Sequence, residues 1–78
     1  MPTVLIVNGF RFYFYSNENN EPIHIHVEKA EGCAKYWLHP NIVEEYSYGF
    51  TKKQRKDILK IIVNNSTELI TAWNEYFR

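Results

Sequence analysis

Apolar and polar positions alternate along the first half of the chain. Thr3–Val7 and Phe10–Tyr15 are two apolar-rich runs separated by Asn8-Gly9. Asn-Gly between such runs is the strongest short hairpin signal, because both turn positions need positive φ. A two-residue turn sets the register: Val7 faces Phe10, Leu5 faces Phe12 and Thr3 faces Phe14. Those residues share one face, and Val4, Ile6, Arg11, Tyr13 and Tyr15 take the other. After the polar loop Ser16–Glu21, the run from Ile23 to Glu28 alternates strictly. His24, His26 and Glu28 therefore project to one side, and Ile23, Ile25 and Val27 to the other. Lys29-Ala30-Glu31-Gly32 reads as a turn and Cys33–Leu38 as a fourth strand. A four-residue loop sets Glu28 against Cys33, His26 against Lys35 and His24 against Trp37. Ala34, Tyr36 and Leu38 then join the apolar side.

The pattern changes after His39-Pro40, since Pro40 cannot donate to a ladder. Asn41–Phe50 reads as a connection with a short helical turn at Ile42–Tyr46. Thr51 is a good N-cap, and Gln54 completes a capping box. A helix is predicted from Lys52 to Asn64, with Ile58, Leu59, Ile62 and Val63 as its apolar stripe. Asn65 then caps a second helix, with Glu68 as box partner and Leu69, Ile70, Trp73, Tyr76 and Phe77 as the apolar set. Asn64-Asn65-Ser66 either separates the two helices or bends one long one. The predicted architecture is α+β: a four-stranded, mostly antiparallel sheet with two C-terminal helices packed on its apolar face. The Ser16–Glu21 loop does not set the register between the second and third strands. Only odd–even pairings put both apolar sets on one side; one of them places Tyr15 beside His24, Tyr13 beside His26 and Arg11 beside Glu28.

Size and composition bound this picture. Residues 1–78 make a single domain. A chain this short buries only about 60–65% of its unfolded surface, so its core must be compact and rich in large side chains. An aromatic fraction of 17% supplies them. Cys33 has no intramolecular partner, which fits a reducing compartment. No apolar run has the length of a membrane span, and the N-terminus lacks the basic region of a signal peptide. A soluble, cytoplasmic protein is expected. The formal net charge of zero argues against a general electrostatic hold on nucleic acid, though a local basic face stays open.

With the helices on the apolar side, the opposite face gathers Arg11, Tyr13, Tyr15, His24, His26, Glu28, Lys35 and Trp37. Rings mixed with cations resemble, in kind, surfaces that stack bases and hold phosphates. Lys35 should lower the pKa of His26, and Glu28, diagonal to it, should raise it. One reading makes His24 and His26 the base and acid of RNA cleavage, with Lys35 or Arg11 stabilising the phosphorane. That enzyme would be a metal-independent ribonuclease, with Arg11, Tyr13, Tyr15, Glu28 and Trp37 as binding residues. A second reading leaves the histidines as tolerated strand residues on a face that docks a protein. A third is metal binding, because the imidazoles of His-x-His converge on one side of a strand. Zinc needs a third or fourth ligand; Glu28, Cys33 and His39 are candidates, none at a diagnostic spacing, so no metal or cofactor is assigned. Cys33 reads as a small sheet residue, and Trp73, Tyr76 and Phe77 as core. Lys52, Lys53, Arg55 and Lys56 read as a solvated helix face, although they oppose the helix dipole. Open Tyr and Trp rings also suit a homodimer.

The chain also resembles a known family. The resemblance is carried by Met1-Pro2-Thr3, Gly9-Phe10-Arg11-Phe12-Tyr13-Phe14-Tyr15-Ser16-Asn17-Glu18, Pro22-x-His24-x-His26-Val27, Ala34-Lys35, Trp37-Leu38, Gly49-Phe50 and Ala72-Trp73-Asn74-Glu75-Tyr76-Phe77. It is similar to the small bacterial domain-of-unknown-function family 4160, over nearly its whole length. The family pattern reads Pro-Pro-His where Ile23 stands here before His24. The resemblance implies a neighbouring gene for a small protein of family 2442. The pair looks like a toxin–antitoxin module in which this chain is the toxin-like member. No catalytic residues come with it. The leading expectation is a polar sheet face, centred on His24 and His26, that binds RNA or the cognate partner.

Overall fold

The computed structural model describes residues 2–78. Five strands precede two helices: β1 (Thr3–Val7), β2 (Phe10–Tyr13), β3 (His24–Lys29), β4 (Gly32–Trp37), β5 (Val43–Tyr48), α1 (Lys52–Asn64) and α2 (Ser66–Tyr76). The strands form one antiparallel meander in chain order. The α+β class and the helices on the apolar face are as expected. The strand count is five rather than four.

The first hairpin turns on Asn8 and Gly9, with φ of 53° and 82°. Val7 pairs with Phe10 and Leu5 with Phe12, but an irregularity then sets Thr3 against Tyr13 instead of Phe14. Such a slip re-aims side chains. Val4, expected on the open face, packs against the core with Leu5 and Val7. β2 ends at Tyr13, so Phe14 leaves the sheet and enters the helix layer. Its ring lies 5.3 Å from Trp73 and 5.4 Å from both Tyr76 and Phe77. The pairings Arg11–Glu28 and Tyr13–His26 occur as expected. Tyr15 lies beyond the strand and does not pair with His24.

The β3–β4 register matches the hairpin arithmetic at every position named: His24–Trp37, His26–Lys35 and Glu28–Cys33. The segment read as a helical turn, Ile42–Tyr46, belongs instead mostly to β5, which sets Val43 against Trp37, Tyr46 against Lys35 and Tyr48 against Cys33. Val and Tyr favour the pleated surface, and β5 satisfies a β4 edge that would otherwise stand open.

Thr51 and Gln54 form the predicted capping box of α1. Its buried stripe is Ile58, Ile61 and Ile62, whereas Leu59 and Val63 face outward. Asn65 takes the N-cap position of α2 as expected, but no capping box with Glu68 forms, because the Asn65 side chain makes no capping hydrogen bond. That side chain donates to the Ile61 carbonyl (2.8 Å), closing α1 instead. The helices are thus two, separated at Asn65. The core sets Phe10, Phe12, Ile25, Val27, Ala34, Tyr36 and Leu38 against the isoleucines of α1 and against Leu69 and Trp73 of α2. Glu44 of β5 ties α1 to the sheet, accepting from Arg55 (2.7 and 3.0 Å) and from the Tyr36 hydroxyl (3.1 Å). Among the described residues, no helix is long and apolar enough to cross a membrane.

Candidate functional site

β3 delivers its two histidines to the side predicted, but not to solvent. His24 is fully buried and His26 only 7% exposed. Two groups cover them. The helix layer reaches His24, whose ring lies 4.8 Å from that of Trp73 and 5.5 Å from that of Trp37. The end of β2 and the loop after it cover His26: Tyr13 of β2 stacks on it at 5.5 Å, and Tyr15 of the loop meets it edge-on at 4.9 Å. The rings of His24 and His26 stand perpendicular, 5.1 Å apart. The expected open acid–base pair is therefore a buried cluster.

The residue that organises this cluster is Glu18, which did not figure among the expected site residues. The loop folds on itself through Glu18 N–H to the Tyr15 carbonyl and Glu21 N–H to the Glu18 carbonyl. The Tyr15 backbone N–H donates to Glu18 Oε1 (2.8 Å), which aims the carboxylate. Its oxygens then sit 3.0 Å from His24 Nε2 and 3.0 Å from His26 Nε2. Glu18 stands six residues before β3 begins at His24, on a polar loop. Nothing in its spacing marks it, because the path of such a loop is set by contacts at its ends.

The hydrogen bonds assign the ring protons. His24 Nδ1 lies 2.9 Å from the Pro22 carbonyl, which can only accept. Nδ1 therefore carries the proton, and in the neutral ring Nε2 holds the lone pair. That Nε2 is buried and has no aligned hydrogen-bond partner among the described residues, despite its proximity to Glu18. His26 Nε2 does hydrogen-bond the Glu18 carboxylate.

Electrostatics follow from burial. Burial lowers the pKa of His26 and outweighs the opposing pull of Glu18; His24 and Lys35 lower it further. Lys35 thus acts in the expected direction, but burial is the larger cause, and the opposing carboxylate is Glu18 rather than Glu28. For Glu18 itself, burial raises the pKa. The Tyr15 N–H and the two imidazoles more than offset it, leaving the carboxyl below its ordinary 4.5. The favoured state of the pair is an ionised Glu18 beside a neutral His26.

The other expected site residues divide. Arg11 pairs with Glu28 and lies over the Tyr13 ring at 4.2 Å. Lys35 pairs with Glu21 (2.7 Å) and lies over Trp37 at 4.4 Å. Trp37 donates its indole N–H to Glu45. Glu28, Cys33 and His39, the expected third metal ligands, do not join the histidines; the described residues that do are Glu18, His24 and His26 alone. Tyr13 is buried and Tyr15 half-exposed. β5 adds two rings that the sequence reading left out, Tyr46 and Tyr48, 5.5 Å apart.

The chain belongs to the family described as Domain of unknown function (DUF4160), whose profile matches residues 9–74 and so includes Glu18, His24 and His26. No curated protein and no solved structure matches it.

Proposed function

Since family membership brings no activity with it, we propose from the geometry that the chain is a protein-interaction module. Its partner docks on the sheet face opposite the helices. One observation carries the reading: that face offers aromatic and aliphatic side chains, while both cations expected on it are already neutralised. Tyr48 and Ile6 are each 65% exposed. Arg11 and Lys35 are held by Glu28 and Glu21. Nucleic-acid affinity comes largely from cations free to replace the counterions of phosphates. Protein interfaces are instead enriched in Tyr, Trp and Arg, with charge held to the rim. The burial of His24 likewise weighs against histidine-dependent RNA cleavage. The partner is the small protein of the neighbouring gene, and this chain is the toxin-like member of the pair, in the cytoplasm.

The test is co-purification with that neighbouring protein, followed by calorimetric titration. The Tyr46→Ser/Tyr48→Ser double variant should keep the wild-type melting temperature within a few degrees and weaken the complex by about tenfold or more, as loss of central aromatic anchors does. Unchanged affinity would sink the docking reading. So would salt-sensitive binding of an RNA oligonucleotide with no protein complex. Growth arrest on expression that disappears in a folded His26→Ala variant, with the complex intact, would favour the ribonuclease.

A further inference from the structure

We infer that Glu18, His24 and His26 form a binding site for a divalent transition-metal ion of the zinc class. The inference does not rest on the docking reading, although the site lies beneath the same sheet face. Its three donor atoms lie within 4.8 Å of one another. Two imidazoles and one carboxylate are a common donor set for zinc.

The second observation is the unpartnered nitrogen. His24 is fully buried, its Nδ1 proton is committed to Pro22, and the Nε2 lone pair points into the cluster with no hydrogen-bond partner among the described residues. Glu18 Oε1 lies 3.0 Å from that nitrogen without forming an aligned hydrogen bond to it. A cation seated between the two would give each of these buried atoms a bond. Ligating histidines ordinarily donate their other N–H to a carbonyl or carboxylate, which fixes the tautomer. The His24–Pro22 hydrogen bond is that arrangement, already in place. The Tyr15 N–H orients the carboxylate in the same way.

The dimensions agree. A tetrahedral ion with bonds of about 2.0–2.1 Å holds its donors about 3.3 Å apart. The Glu18–imidazole separations of 3.0 Å need to open slightly, and the two imidazoles to close. On binding, His26 gives up the Nε2 proton it shares with Glu18, either to solvent or by shifting it to Nδ1. Tyr13, Tyr15, Trp37 and Trp73 form an aromatic shell around the donors, and such a shell limits water and strengthens the ion's bonds. Three protein ligands leave a fourth position for water or another donor.

The experiment uses the full chain, free of any histidine tag and stripped with a chelator. It is titrated with Co²⁺ followed in the visible region, then with Zn²⁺ against a competing dye. One equivalent should bind, with tetrahedral cobalt bands, and Zn²⁺ should raise the melting temperature. Glu18→Gln keeps the acceptor for the Tyr15 N–H and leaves the buried strand untouched. It should weaken binding by more than about tenfold, as loss of a site group does, and His26→Ala should do the same. His39→Ala should bind as the wild type does. If His26→Ala fails to fold, Glu18→Gln decides. The inference is overturned if no saturable single equivalent binds. It is equally overturned if Glu18→Gln retains wild-type affinity, or if binding depends on His39 or Cys33.

Discussion

At the scale of single residues, space and backbone conformation impose different limits on the glycines. A Cβ on Gly32 would lie 2.4 Å from the Phe50 ring. That ring cannot swing away freely, because it packs edge-on against Phe10 at 5.8 Å, and Phe10 is buried. Gly32→Ala should therefore destabilise the fold by about 1–3 kcal/mol, the usual cost of overpacking, read as a lower urea midpoint with an unchanged slope. Gly9 differs. Its φ is 82°, and its would-be Cβ meets only the flexible end of Lys29, at 3.0 Å. There the cost of a side chain is the left-handed backbone itself. Legibility at this scale split along the same line. The Asn8-Gly9 turn was readable because positive φ leaves a sequence signature. The crowding at Gly32 was not, because Phe50 reaches it from a distant segment. Glu18 escaped notice for the same reason: its neighbours are set by the fold, and the sequence around it says only that the loop is polar.

Among elements, what was readable depended on how short the connection was. The β3–β4 pairing could be counted from its turn, and the α1 capping box lies within four consecutive residues. β5 was hidden because Glu44-Glu45 breaks its alternation, and an irregularity opposite, between Lys35 and Tyr36, shifts its register. That same Glu44 provides a pH-dependent link between β5 and α1. Arg55, followed by Tyr36, holds the Glu44 carboxyl below its ordinary 4.5, against a smaller opposing effect of burial. A carboxyl whose folded pKa is depressed stabilises the fold fully above its unfolded value and ceases to as the pH falls through the folded one. Glu44→Gln should therefore lower the melting temperature at pH 7. The gap from wild type should shrink as the pH drops below about 4.5 and close once wild-type Glu44 is protonated. A gap of the same size at pH 7 and pH 2.5 would show that the substitution acts through packing rather than through charge.

The whole molecule has little core to spare, and α2 shows how closely the fold and the buried histidines depend on each other. Leu69 and Trp73 are both buried, and Phe77 packs against the same cluster. Trp73 also touches Phe14 and His24. One helix thus seals the end of the apolar face and walls the histidine cluster. Truncating a single buried Trp costs about 3–5 kcal/mol, against a total stability of about 5–15 kcal/mol for a domain. Losing all of α2 removes Leu69 and Phe77 as well, and uncovers Phe14. A chain ending at Asn65 should therefore lack a cooperative thermal transition, bind the dye ANS, and lose the tertiary signal of its remaining Trp37 in near-ultraviolet circular dichroism. A truncated chain that still melted cooperatively would make α2 an appendage on a self-sufficient sheet and α1. The wall behind His24 would then be dispensable, and its burial would owe nothing to the fold's stability.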